Sequence, residues 1–283
     1  MRVASAVLTV LLLIASPLAA ADDDDIALRT FHPWGRFHVG SWNRVRIISE
    51  TVDDKGEVVA TSISDTRATL IERGLESYSL KLETSVEMAG KRIPGEPKIV
   101  KLGYAGENLG EQLSYRNVDD ASMFIGGRMI DCGVQEVEIV GVGQKLVSLI
   151  RYSKGVAPFV MHRKTTQIDL SRPNKSNETE FEVVGLEVPC KVCGVLQNTA
   201  QTKLVQRSPR GSTESLSVVS PIVPGELVSQ TSKKTDDRGR EIHRSSLHLV
   251  SYYVAPSLDP EVEDIPDRRV PRRYHKRPRH DRR

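Results

Sequence analysis

Two cysteines with the spacing of a redox motif are the first residues in this sequence that could do chemistry. Cys190 and Cys193 are separated by two residues. In thiol–disulfide enzymes with this spacing, one thiolate attacks a substrate and the second resolves the mixed disulfide. Such a pair is expected at a helix N-terminus, in a βαβ unit. Residues 183–189 before the pair and 194–196 after it are instead typical of strand, turn and strand.

The same spacing also matches half of a zinc site, but a second pair is needed and only Cys132 remains. Covalent haem attachment requires histidine where Gly194 stands. Three cysteines allow at most one disulfide. The residues leave three alternatives open: catalytic thiols at Cys190 and Cys193, one structural disulfide drawn from Cys132, Cys190 and Cys193, or unpaired buried thiols. The structural disulfide is favoured over catalysis.

The other motifs in the sequence predict no catalytic chemistry. Gly141 and Gly143 follow an apolar stretch, but Leu146 stands where a dinucleotide-binding loop needs its third glycine, so a hairpin turn is predicted. His243 and His248 are five residues apart, a spacing that fits neither a metal site nor a triad. We predict no enzyme activity, no catalytic residue, no cofactor and no metal site.

Aromatic side chains are dense only near the start of the chain, at His32, Trp34, Phe37, His38 and Trp42. Such a cluster could stack on a sugar or another ligand. The favoured interpretation is that these large side chains anchor the first strand against a sheet.

The C-terminal residues 267–283 carry nine basic residues against two aspartates, although the whole chain has a formal charge of only +3. This tail could bind polyanions or anionic lipid headgroups. Outside the cell nucleic acid is a poor partner, so a solubilising or surface-binding role is expected. The candidate contact residues are Arg268, Arg269, Arg272, Arg273, Lys276, Arg277, Arg279, Arg282 and Arg283.

The N-terminus predicts export. A basic start at Arg2, an apolar run over 7–14 and the small residues at 19–21 form a secretory signal peptide over residues 1–21. The apolar run is too short for a transmembrane anchor, which needs about 20 residues. We expect a periplasmic or extracellular protein that begins with an acidic spacer over residues 22–30.

Strict alternation of apolar and polar residues predicts half-buried antiparallel strands, most clearly over 80–88 and again near 45–47, 137–139 and 247–249. Turn sequences containing glycine separate these runs at 53–56, 89–91 and 236–239. We predict a mainly β fold over residues 31–254, a curved antiparallel sheet or half-barrel with few short helices. The prediction also includes two related units divided near 117–130, a short helix over 108–115 and a disordered tail over 255–283.

Two segments carry a resemblance to a known group. The sequences GSWNRVR at 40–46 and SPIVPGELV at 220–228, followed by an Asp-Asp-Arg-Gly hairpin, resemble uncharacterised exported bacterial β-rich proteins. Their general pattern is weakly similar to periplasmic lipoprotein-carrier half-barrels. The resemblance implies a concave sheet around an apolar cavity that holds an acyl chain or a partner. It carries over no catalytic residue, and the basic tail departs from the carrier pattern.

The leading functional prediction is a noncatalytic exported β protein that binds an apolar ligand, a lipid or an envelope component. One alternative is thiol–disulfide activity through Cys190 and Cys193. Another is a wall- or matrix-associated structural protein held by its basic tail.

Overall fold

Fourteen β-strands make up the regular structure of the computed structural model, which describes residues 31–88, 90–108, 110–171 and 176–257. In chain order they are β1 (Trp42–Val52), β2 (Val58–Arg73), β3 (Ser77–Met88), β4 (Lys91–Pro94), β5 (Lys98–Gly103), β6 (Gln112–Ile125), β7 (Arg128–Gly141), β8 (Gln144–Tyr152), β9 (Val160–Asp169), β10 (Ser176–Val192), β11 (Val195–Ser208), β12 (Gly211–Val219), β13 (Leu227–Thr235) and β14 (Glu241–Tyr253). The predicted signal peptide, the acidic spacer and residues 258–283 of the tail lie outside the described residues.

All described strands belong to one antiparallel sheet in the order β4-β3-β2-β1-β14-β13-β12-β11-β10-β9-β8-β7-β6, with β5 also paired to β3. The sheet is curved and not closed into a barrel, so the predicted mainly β antiparallel fold is confirmed. Most neighbours in the sheet are consecutive in sequence. Two pairings are not consecutive: β3 pairs with β5, and β1 pairs with β14, which joins the first strand to the last in the interior of the sheet. Residues 117–130 belong to the β6–β7 hairpin.

The predicted hairpin turns at 53–56 and 236–239 are confirmed, and they are built alike. Asp53 and Asp236 each accept hydrogen bonds from the backbone N–H groups two and four residues further along, at 2.9 to 3.0 Å. Gly56 and Gly239 follow with φ values of 86° and 78°, which glycine adopts without strain. The Gly141–Gly143 segment is likewise a hairpin turn, between β7 and β8.

The helix predicted over residues 108–115 is wrong. The backbone N–H of Glu111 donates to the carbonyl of Asn108 in a turn, and β6 begins at Gln112. Leu113 and Tyr115 then face Ile139 and Val137 across the β6–β7 ladder. An eight-residue segment is too short to hold a helix on its own, so the strand alternation that begins at Leu113 decides the structure.

The core lies between two halves of the curled sheet. Leu70 and Leu80, from β2 and β3, belong to the same buried cluster as Val137 and Ile150, from β7 and β8. A second cluster joins strand β1 to strands β7 and β9 in the same way. The sheet face that carries these clusters is called the inner face below. The predicted alternation therefore separates buried inner residues from exposed outer ones.

The aromatic residues near the start of the chain anchor the segment that precedes β1. Residues 31–41 form turns instead of a strand, and His32, Trp34 and Phe37 are buried there. The backbone N–H of Gly225, in the β12–β13 connection, donates to the carbonyl of Pro33 at 2.9 Å. A Cβ at Gly225 would lie 3.0 Å from the Trp34 ring, so the close approach requires glycine.

Candidate functional site

A cavity of about 670 Å³ opens on the inner face. Its apolar wall is formed by two cross-strand pairs, Ile139 with Leu146 on β7 and β8, and Phe181 with Leu204 on β10 and β11. Strand β9 runs between these pairs. The register places Thr165 and Thr179 between the two pairs, and both line the cavity, so its apolar surface is interrupted by polar side chains.

Arg163 is the charged residue that β9 places in this wall, directly opposite Phe181 in the β9–β10 ladder. Its Nε donates to the Thr165 hydroxyl at 3.0 Å, and one terminal nitrogen donates to the Ser148 hydroxyl at 3.2 Å. Burial lowers the pKa of Arg163 to about 10. That value is still well above neutral, so the cavity contains a permanent, oriented cation.

The inner face beyond β11 is rich in hydroxyl groups. Five serines on five neighbouring strands are cross-strand partners in one row: Ser215, Ser232, Ser245, Ser49 and Ser62. The hydroxyls of Ser215 and Ser232 are hydrogen-bonded at 2.7 Å. We call this set the serine row. It gives the inner face a polar section beside the apolar wall.

Lys234 and Thr213 lie two residues from Ser232 and Ser215 on the same strands, and both line the cavity. The cross-strand partner of Lys234 on β14 is His243. Burial, and secondarily the charge of Lys234, lowers the pKa of His243 below its ordinary value. The histidine is thus neutral at neutral pH, and Lys234 supplies the charge at this position.

The charge of the cavity lining is positive. Four basic residues line it, Arg163, Arg207, Arg210 and Lys234, against the single acidic residue Glu178. Arg207 is also paired with Glu180 at 3.5 Å. An anion that enters this cavity would therefore meet an excess of positive charge.

A second cavity, of about 320 Å³, lies beside the 155–158 loop. Arg128 and Glu187 both line it and form an ion pair with each other. Because its basic and acidic side chains are already paired, this cavity is the weaker candidate site.

The arrangement of the three cysteines differs from that of a redox site. Cys190 lies on β10, and Cys193 lies in the turn that joins β10 to β11, so the predicted strand, turn and strand is confirmed. Cys132 is buried on β7, and all three thiols are free in the structure. Burial raises the pKa of both Cys132 and Cys193, which reduces the thiolate fraction that nucleophilic chemistry needs. A disulfide among these residues stays a prediction.

Within the described ranges, no group of three His, Cys, Asp or Glu residues could hold a metal ion. No helix there is long and apolar enough to cross a membrane. The nine basic tail residues lie outside these ranges, so their role in binding polyanions stays a prediction.

Sequence reasoning missed Arg163, Lys234 and the serine row. No sequence pattern indicated them, because residues 162–167 and 229–235 contain no apolar residues whose alternation would predict an inward face. A basic residue at an inward position of a strand is costly to bury and indicates a cavity or a partner. The register of β9, β13 and their neighbours was needed to bring these residues to one face.

No family model matches this chain, and no curated protein matches it. Two solved structures are similar to it. One is a putative lipoprotein from Parabacteroides distasonis, with 11% identity over 76% of this chain and 96% of that chain, at a TM-score of 0.33. The other is a putative exported protein with YmcC-like fold from Bacteroides fragilis, with 8% identity over 77% of this chain and 97% of that chain, at a TM-score of 0.30. Both are bacterial proteins of the kind that the sequence resembles, and at these TM-scores no function is carried over from either.

Proposed function

We propose that this chain is an exported, noncatalytic β protein that binds an apolar or amphiphilic ligand, such as a lipid or another envelope component, in the inner-face cavity. The observation that carries the proposal is the apolar wall of Ile139, Leu146, Phe181 and Leu204. Export is supported by the predicted signal peptide over residues 1–21.

The size and lining of the cavity suit such a ligand. Its volume of about 670 Å³ falls within the roughly 300 to 1,000 Å³ that is usual for small-molecule sites. Each buried methylene contributes about 0.8 kcal/mol, so five methylenes against the wall would contribute about 4 kcal/mol before the costs of binding. Association itself costs several kcal/mol, so measurable affinity requires a ligand with a longer alkyl chain than this.

The thiol alternative has less support. Cys193 occupies a hairpin turn, and burial raises its pKa, whereas a redox nucleophile needs a lowered one. The tail-bound alternative concerns residues outside the described ranges.

The experiment combines native mass spectrometry of the gently purified protein with fluorescence titration by N-phenyl-1-naphthylamine, an uncharged apolar probe. We expect co-purified ligand, and probe uptake after its removal. Leu146→Arg should weaken probe binding about tenfold, because it places a charge in the apolar wall. Leu216→Arg is the matched control, since Leu216 is 51% exposed on the outer face of β12 and its substitution should leave binding unchanged.

Two results would overturn the proposal. The first is a wild-type protein that carries no ligand and takes up no probe. The second is a Leu146→Arg variant that is folded and binds the probe as tightly as the Leu216→Arg control.

A further inference from the structure

We infer that one end of the sheet is a membrane-docking surface, whose exposed apolar side chains insert among the headgroups of a bilayer that contains anionic lipid. The inference concerns a different part of the molecule from the cavity and goes beyond the proposed function. Three features support it: the apolar side chains that this end exposes, the charged turns of the opposite end, and the point from which the basic tail continues.

The antiparallel order of the sheet divides the connections between strands into two sets. Strand β1 begins and strand β14 ends at one end of the sheet, because Trp42 and Tyr253 are cross-strand partners. The β2–β3, β6–β7, β8–β9, β10–β11 and β12–β13 connections lie at this same end, which we call the docking end. The β1–β2, β7–β8, β9–β10, β11–β12 and β13–β14 turns lie at the opposite end.

Exposed apolar side chains occur on most of the segments at the docking end. Leu75, in the β2–β3 turn, is 70% exposed, and Phe124 and Leu196, beside the β6–β7 and β10–β11 turns, are 71% and 67% exposed. Large exposed apolar surfaces mark interaction sites. Separate side chains on neighbouring turns can enter a bilayer without a groove that matches them. The six residues that we call the apolar rim are Val39, Leu75, Phe124, Leu196, Ile222 and Val254.

The two hairpins that carry Phe124 and Leu196 also suit a lipid surface. Phe124 is the cross-strand partner of Met129, which is exposed as well, whereas the adjacent Ile125 is buried in the core. Leu196 is the cross-strand partner of Lys191, which is exposed. A lysine can lay its alkyl stem along apolar surface and keep its ammonium group among the lipid phosphates.

The opposite end of the sheet is more highly charged. Its turns over 53–57, 208–211 and 236–240 contain charged residues. Insertion of this end would remove these charges from water, which costs free energy. The β7–β8 and β9–β10 turns at this end do expose Val142 and Leu170, so the two ends differ in charge and can be compared with matched substitutions.

The basic tail continues from the docking end. The backbone N–H of Ala255, just after β14, donates to the Ser41 hydroxyl at 3.0 Å, so the described chain reaches Ser257 at this end. The nine basic residues of 267–283 follow in the sequence. Basic residues close to an anionic bilayer are attracted to it. The tail therefore favours a bilayer with anionic lipid as the partner of the apolar rim.

The test is co-sedimentation of the protein with vesicles of phosphatidylcholine and phosphatidylglycerol at about 300 mM salt, which screens the charge of the tail. We expect binding to persist, because insertion of apolar side chains depends little on salt. The rim variant, Phe124→Ser with Leu196→Ser, should bind vesicles at least about tenfold more weakly. Val142→Ser with Leu170→Ser is the matched control at the opposite end and should behave as wild type.

Tryptophan fluorescence provides a second measurement, on the protein without substitutions. Both tryptophans, Trp34 and Trp42, lie at the docking end. Lipids that carry a nitroxide on the headgroup should therefore quench the fluorescence of the bound protein. An absence of quenching in protein that sediments with the vesicles would contradict docking through this end.

Three results of the co-sedimentation would also overturn the inference: no vesicle binding by the wild type at about 300 mM salt, equal binding of the rim variant and the wild type, or an equal loss in the control. A wild-type dimer that forms without vesicles and is lost in the rim variant would assign the surface to a second copy of the chain. Uptake of N-phenyl-1-naphthylamine should be unchanged in the rim variant, because no residue of the apolar rim lines the cavity that the structure describes. A failure of docking would therefore leave the proposed function in place.

Discussion

At the scale of single residues, a buried ion pair joins the segment before β1 to the β12–β13 connection. A terminal nitrogen of Arg36 lies 2.8 Å from Oε1 of Glu226. The guanidinium also lies 5.1 Å from the centre of the Phe37 ring and 5.8 Å from that of Phe159. Burial raises the pKa of Glu226 to about 7, although the charge of Arg36 opposes this rise. The carboxylate therefore depends on Arg36 to remain ionised in the folded protein.

Replacing Arg36 by methionine should expose this dependence. A buried carboxylate without its counterion costs about 3 kcal/mol, so Arg36→Met should lower the free energy of unfolding by about that amount at pH 8. The loss should be smaller at pH 5, where Glu226 can take up a proton. The pKa of Glu226 in the folded protein lies above its ordinary value of 4.5. Protonation of this carboxyl therefore stabilises the fold fully at low pH, and this stabilisation is lost as the pH rises through about 7.

Urea unfolding at both pH values measures this effect. The double variant Arg36→Met with Glu226→Gln serves as the control, since without the carboxyl group the pH-dependent part of the loss should vanish. An equal loss at pH 5 and pH 8 in the single variant would contradict the assigned titration of Glu226.

The identity of the site residues could be predicted only in part. Of the apolar residues in the wall, Ile139 follows from the alternation over 137–139, and the other three were not predicted. Arg163 and Lys234 could not be predicted, because a lone basic residue in a strand is usually solvent-exposed. Only the register that pairs Arg163 with Phe181 and Lys234 with His243 shows that both basic residues share the inner face.

At the scale of elements, the β10–β11 hairpin contains a testable turn. Val192 and Val195 are cross-strand partners, so Cys193 and Gly194 form a two-residue loop, with φ values of 47° and 90°. Positive φ at both positions is the conformation in which Asn-Gly is the preferred sequence. A cysteine at the first position is strained because its Cβ crowds the backbone.

Cys193→Asn should therefore stabilise the protein, by about 1 kcal/mol, since asparagine adopts this conformation more readily. Cys193→Val is the opposite test, because a β-branched side chain is disfavoured at positive φ and should lower the stability. Thermal unfolding of both variants under reducing conditions measures the difference. A Cys193→Asn protein that is less stable than wild type would show that the thiol contributes more than the turn geometry costs.

The hairpin turns could be predicted because the contacts that form them join residues close together in the sequence. Asp53 and Asp236 fix their hairpins with hydrogen bonds to the next few residues, and such contacts can be read from the sequence. The helix predicted over 108–115 is wrong because the contact that decides the structure of this segment is not local. Its local pattern of Leu109 and Leu113 fitted a helix, but the pairing of Leu113 with Ile139 depends on a strand more than twenty residues away.

At the scale of the whole molecule, the pairing of β1 with β14 holds the sheet together in its interior. Val45 is the cross-strand partner of Leu249, and the backbone N–H of Ala255 donates to the Ser41 hydroxyl at 3.0 Å. No turn sequence could predict this contact, because it joins segments some two hundred residues apart. A cavity could be expected only from the resemblance, because no local sequence pattern fixes how the sheet curves.

This arrangement predicts that the chain can be shortened after Ser257 without loss of the fold. Every cross-strand partner of β14 precedes that residue, so a protein that ends there should keep its free energy of unfolding within about 0.5 kcal/mol. A protein that ends at Arg240 lacks β14, the partner of both β1 and β13, and should not fold. Circular dichroism and urea unfolding of the two proteins measure the contrast.

The same truncation separates binding by the tail from binding by the cavity. Ending the chain at Ser257 removes all nine basic residues between 267 and 283. We expect it to abolish the salt-sensitive part of binding to vesicles of anionic lipid, measured by co-sedimentation at about 50 mM and about 300 mM salt. Uptake of N-phenyl-1-naphthylamine should stay unchanged, because the apolar residues that line the cavity remain in place. A truncated protein that loses both activities would show that the tail, and not the inner face alone, is needed for ligand binding.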